Sequence, residues 1–212
     1  MEFYLSTNSS KAHPNNTRPL GPFVEIGYLG RKSSNPFPID NYPTLPVFCE
    51  ALLRNFSQSR LHANKGRRIG ATVQPREPIE QFRDEFYRVF NSLLGPGQRI
   101  SREWSKPGTG RVDFWIVEPG WGIEILQDGK GEELDERCGR FARSGAYERM
   151  ITDGWITDWI ILDFRHYYPD SYDGEKIPTD KLWRVVFNRE YSSAWVVDGA
   201  SELVVPQFAL FD

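Results

Sequence analysis

Two carboxylates, Asp113 and Glu124, are placed where they could act together. They stand in the run Arg111 to Leu126, Arg-Val-Asp-Phe-Trp-Ile-Val-Glu-Pro-Gly-Trp-Gly-Ile-Glu-Ile-Leu, which reads as two strands joined by a bend at Glu-Pro-Gly-Trp. A four-residue loop over 118–121 pairs Val117 with Gly122 and sets Trp115 opposite Glu124. Asp113 is then diagonal to Glu124 on the same face, roughly 4.5–8 Å away. A two-residue loop also leaves the acids on one face, whereas a three-residue loop separates them. Carboxylates this close repel unless a cation lies between them, and an oxygen-liganded divalent ion, Mg²⁺ or Mn²⁺, suits the gap. Both acids interrupt apolar strands, with Val112, Phe114 and Trp115 around one and Ile123, Ile125 and Leu126 around the other. Buried acids need partners. Paired acids with tryptophans nearby are also glycosidase chemistry when the carboxyls lie about 5 Å apart, but the small size and a helix acid argue against that.

That helix acid is Glu85. Pro78 opens a segment in which Ile79, Phe82, Phe86, Val89, Phe90 and Leu93 recur at helical spacing, and Gly95-Pro96-Gly97 closes it. On the helical wheel Glu85 borders the apolar stripe beside Val89. Strands are expected at 99–104, 111–117 and 121–126, and a second helix over 132–143 with Leu134, Cys138 and Phe141 inward. The run Asp158-Trp-Ile-Ile-Leu-Asp-Phe164 is apolar on both faces, as a central strand covered by helices should be. Segments 182–189 and 194–198 read as a closing hairpin. Upstream, residues 6–46 carry Pro14, Pro19, Pro22, Pro36, Pro38, Pro43 and Pro46 amid Ser, Asn and Gly. The expected division is therefore an N-terminal arm over 1–70, with a short helix at 47–56 and a basic connector, followed by an organised domain over 71–212.

The 212 residues, with 26 Lys+Arg against 29 Asp+Glu and 39% hydrophobic residues, describe a globular chain of net charge -3. Apolar runs reach only about four residues, which excludes a membrane-spanning helix. Residues 1–5 are followed by no apolar signal region, so an intracellular location, nucleus or cytoplasm, is expected. Cys49 and Cys138 read as reduced core thiols. His13, His62 and His166 are not spaced as metal ligands. An acidic chain is not drawn to polyanions as a whole, so nucleic-acid contact must come from a local patch. Arg60, Lys65, Arg67, Arg68 and Arg76 supply one, continued by Arg99, Arg102 and Lys106. Of the tryptophans, Trp104, Trp115 and Trp121 are candidates to stack on a base.

The spacing of Asp113 and Glu124, after the helix with Glu85 and before a helix and an apolar strand, resembles the PD-(D/E)XK, or restriction-endonuclease-like, nuclease superfamily. The phrases Arg-Asp-Glu-Phe-Tyr-Arg (83–88), Gly-Arg-Val-Asp-Phe (110–114), Trp-Gly-Ile-Glu-Ile-Leu (121–126), Gly-Arg-Phe (139–141) and Ile-Leu-Asp-Phe-Arg (161–165) resemble the nuclease-like C-terminal domains of Crinkler-type proteins. The resemblance implies an α/β fold, an αβββαβ core with a mixed central sheet flanked by helices. It implies Asp113 and Glu124 as metal ligands, Glu85 as the assisting acid, and Mg²⁺- or Mn²⁺-dependent hydrolysis of a nucleic-acid phosphodiester, DNA before RNA. Leu126 departs from the pattern, which wants a lysine two residues after the glutamate. A substitute cation could come from Arg111, Lys130, Arg137 or Arg140. The alternative is a nuclease-shaped effector that binds nucleic acid or a host protein without cutting.

Overall fold

A computed structural model describes residues 36–63, 78–95 and 97–212, all within one compact unit, Ser33–Asp212. Lys65, Arg67, Arg68 and Arg76 of the expected basic connector lie outside the described residues.

The longest helix follows its sequence signals closely. Helix α3 (Pro78–Leu94) starts at its proline, and Gly95 ends it with φ +72°, a left-handed conformation that glycine adopts without a Cβ clash. Its stripe is the side that meets the sheet: Phe82 stacks on Phe164 at 4.5 Å and Phe86 on Phe114 at 4.6 Å. Helices α1 (Leu45–Arg54) and α2 (Gln58–Ala63) precede it. Thr44 caps α1 by accepting from the Val47 N–H, and Phe48, Cys49, Leu52 and Leu53 are buried.

Strands β1 (Ile100–Ser105), β2 (Arg111–Ile116) and β3 (Trp121–Gln127) come next, then helices α4 (Gly131–Gly139) and α5 (Glu148–Thr152). The remaining strands are β4 (Asp158–Arg165), β5 (Leu182–Phe187), β6 (Ser193–Val197) and β7 (Leu203–Ala209). All seven form one mixed sheet in chain order, with β3, β4 and β5 parallel and every other pair antiparallel. Parallel strands need covered faces. One face packs against α1, α2 and α3 through Ile123, Ile125, Leu162, Phe164 and Val185, while the other carries Val112, Leu126, Ile161 and Leu182 under Leu134, Cys138, Tyr147 and Met150. The central position of β4 and the β5–β6 hairpin agree with the sequence reading.

Four features differ from it. Phe48, Leu52, Phe56 and Leu61 share the core of the sheet, so a break at 70/71 does not separate α1 and α2 from it. The β2–β3 loop is four residues long but one position earlier, pairing Ile116 with Trp121, Trp115 with Gly122 and Phe114 with Ile123. The expected helix over 132–143 stops at Gly139, and turns carry the chain to α5. Gly145 makes that path possible, because a Cβ there would run into the carbonyls of Gly139, Arg140 and Ala142. Finally, β7 was not expected; its burial is irregular and Pro206 interrupts it. Among the described residues no helix is long and apolar enough to cross a membrane.

Candidate functional site

The two acids are neighbours, and the shifted register explains how. Extending the pairing of Phe114 with Ile123 by one residue sets Asp113 directly opposite Glu124 rather than diagonal to it, but the ladder ends before that point. Side chains take over the backbone groups left there. The Ile125 N–H donates to Asp113 Oδ2 at 2.8 Å, and the Tyr147 hydroxyl reaches the Arg111 carbonyl at 2.5 Å. Asp113 therefore reaches across to the backbone of β3 beside Glu124.

Glu124 is 0% exposed. Burial first, and then the charge of Asp113, pushes its pKa up to about 7. Its Oε2 accepts from Arg137 at 3.2 Å, with Arg140 at 3.9 Å, and its Oε1 lies 2.5 Å from the Tyr147 hydroxyl. The phenol has one proton and two acceptors within reach. A protonated Glu124 resolves the conflict by donating to the phenol oxygen while Tyr147 donates to the Arg111 carbonyl. Asp113 is also pushed up, by burial, against the pull of the Ile125 amide and of Arg83. Arg83 of α3 donates to Asp113 Oδ1 at 2.8 Å.

The other expected site residues are elsewhere. Glu85 is buried, but its Oε1 accepts from the Ser57 N–H at 2.7 Å and from Arg88, which ties α3 to the start of α2. The reason is the wheel: Glu85 and Arg83 flank the stripe on opposite sides, and the Arg83 flank is the one that meets Asp113. Arg111 points its side chain outward, 63% exposed and paired with Glu103 at 3.2 Å. Lys130 lies over the Tyr167 ring at 4.9 Å and lines a different cavity. Leu126 is 1% exposed, so the motif position holds a core side chain. Of the four substitute cations, Arg137 on α4 and Arg140 just past its end reach Glu124. Arg83 could have been found as the opposite border of the helical stripe. Tyr147 carried no periodic signal.

The nucleic-acid candidates are dispersed. Arg60 is exposed on α2. Arg102 is held by Glu80 at 3.5 Å and Asp84 at 3.3 Å, and Lys106 sits 3.4 Å over the Trp155 ring. Trp115 and Trp121 are core residues and Trp104 stacks on Trp115 at 3.9 Å, so none of the three is a free stacking platform.

The carboxylate oxygens of the site are already engaged by the chain's own groups. Each oxygen of Asp113 and Glu124 has a hydrogen-bond partner, and three guanidinium groups surround two carboxylates. Glu80 and Glu136 pair only the outer sides of Arg83 and Arg140. Among the described residues no group of three or more His, Cys, Asp or Glu is placed to hold a metal. The positive charge between the acids is supplied by arginine. Removing one arm should be measurable: Arg83→Ala is expected to cost about 1–2 kcal/mol in urea unfolding, since the pair it breaks is only partly buried. A cost near zero would show that Asp113 has no need of it.

Compared with protein-family models, with curated proteins and with solved structures, the chain matches none.

Proposed function

We propose that this chain is a restriction-endonuclease-like module that binds the phosphate backbone of nucleic acid, DNA before RNA, without cutting it. The occupied carboxylate oxygens carry the reading: Arg83, the Ile125 amide, Tyr147 and Arg137 take the places where a catalytic ion would be bound. The element order α3, β1, β2, β3, α4, α5, β4 supports the fold assignment. Leu126 adds to the case against cleavage, because leucine neither orients a water nor stabilises charge on a phosphoryl group.

For binding, a cleft of about 600 Å³ lined by Gly110, Arg111, Gly139, Arg140 and Ala146, with Glu136 at its wall, lies beside the acids. Arg111 and Arg140 are its cations. A second reading, metal-dependent hydrolysis, is favoured by one observation: Glu124 is pushed up to about 7 in part by Asp113, a repulsion that a divalent ion would relieve.

A single experiment decides between them. The chain is incubated with plasmid and single-stranded substrates, with Mg²⁺ or Mn²⁺ or with chelator, while labelled DNA reports binding. The expected result is binding that chelator leaves unchanged, that weakens at least tenfold between 50 and 200 mM salt, and that falls further in Arg111→Ala and Arg140→Ala. Metal-dependent cutting lost in both Asp113→Ala and Glu124→Ala would establish the second reading instead.

A further inference from the structure

A second place in the fold buries charge without a counter-ion. Strands β4 and β5 run parallel with Asp163 paired to Arg184, and strand alternation puts Asp163, Arg165 and Arg184 on the α4 side of the sheet. Arg165 is 4% and Arg184 3% exposed. Asp163 divides its oxygens between the Gly129 N–H at 3.1 Å and the Arg165 guanidinium. Arg184 donates to the Asp170 carbonyl and the Ser201 hydroxyl, and no carboxylate among the described residues lies within ion-pair distance of it. The Nε–H groups of Arg165 and Arg184 are both buried and have no hydrogen-bond partner among the described residues. One acid beneath two guanidinium groups leaves an uncompensated buried positive charge, which is costly unless an anion completes the arrangement.

Both arginines line a cavity of about 400 Å³, together with Lys130 and with the acids Asp135, Asp170 and Asp173. Helix α4 begins at Gly131, so the free amides of its first turn and the positive end of its dipole add to the same field. The acids at and near this lining are paired or face water. Asp135 accepts from the Tyr172 hydroxyl at 2.8 Å, Asp170 meets Arg184 through its carbonyl, and Asp170, Asp173, Glu132 and Glu133 are exposed to water.

We propose that this cavity is a binding site for a phosphate group, with Arg165 and Arg184 holding its oxygens from below and Lys130 closing on it from the solvent side. Guanidinium groups suit the role because their planar array of donors matches an oxyanion. The site is independent of Asp113 and Glu124, and its test does not depend on whether DNA binds.

Thermal unfolding of the whole chain is measured in 10 mM inorganic phosphate, in 10 mM nucleoside monophosphate and in chloride at matched ionic strength. Phosphate is expected to raise the midpoint by about 5 °C. In Lys130→Ala, a surface change, the phosphate affinity should fall roughly tenfold. Arg184→Met should lose the phosphate response, with an unchanged or higher midpoint in chloride because the unpaired charge is gone. If that variant does not fold, the Lys130→Ala titration decides alone. A larger shift with the nucleoside monophosphate assigns the group to a nucleotide, and an equal shift assigns it to the free anion. No shift in the parent chain, or the same shift in Lys130→Ala, overturns the proposal.

Discussion

Asp163→Ala is expected to remove about 3–5 kcal/mol of stability, a large share of what a folded domain has. Asp163 is the only carboxylate among the described residues that pairs with Arg165, and it also accepts from the Gly129 N–H. Its loss leaves two guanidinium groups buried side by side across β4 and β5 with nothing to offset them, and strands one backbone donor. Burial pushes the Asp163 pKa up even against the pull of Arg165, so the pair compensates charge but is no net source of stability. Replacing the group as a whole should therefore be far milder: Asp163→Leu combined with Arg165→Met is expected to recover at least half of the loss. Urea unfolding of the parent, the single variant and the double variant gives the answer. A single variant within 1 kcal/mol of the parent would show that water, not Asp163, solvates these arginines.

Glu124 should make the chain less stable as pH rises. Its ordinary pKa is 4.5 and its folded value about 7, so between those limits the folded chain holds a proton that the unfolded chain has released. Stability falls with pH wherever the folded state binds more protons, which here spans about pH 4.5 to 7 and then levels off. The size of the fall from this one residue is on the order of 3 kcal/mol. Asp113 and Asp163 are raised as well and act in the same direction, so the comparison has to be with Glu124→Gln, which keeps the shape, an acceptor for Arg137 and a donor toward the Tyr147 oxygen. Unfolding free energies at pH 5 and pH 7.5 should differ by about 2 kcal/mol less in the variant than in the parent. Equal differences in the two proteins would mean that Glu124 is ionised throughout, held so by Arg137 and Arg140.

Local rules made much of the frame legible. Proline, the apolar spacing and the glycine at its end specify α3 without reference to anything distant. A tight turn keeps β2 and β3 within one residue of the expected register, and both possible even-length loops place Asp113 and Glu124 on one side. The run Asp158 to Phe164, apolar at nearly every position, could only be a strand covered on both faces. These are relations inside one element or across one turn, where 3.6-residue and two-residue periods apply.

What surrounds the acids was decided by packing between layers. The helical wheel allowed either flank of α3 to face the carboxylates; the way α3 lies across the sheet chose Arg83 and sent Glu85 to the α2 junction. Tyr147 reaches Glu124 only because the chain turns back over Gly145, a path that no periodicity announces. The pairing of Asp163 with Arg184 joins residues 21 positions apart through a parallel register that depends on the intervening connection. Charges buried from different layers must compensate one another where they meet, and the sequence alone does not say which will meet.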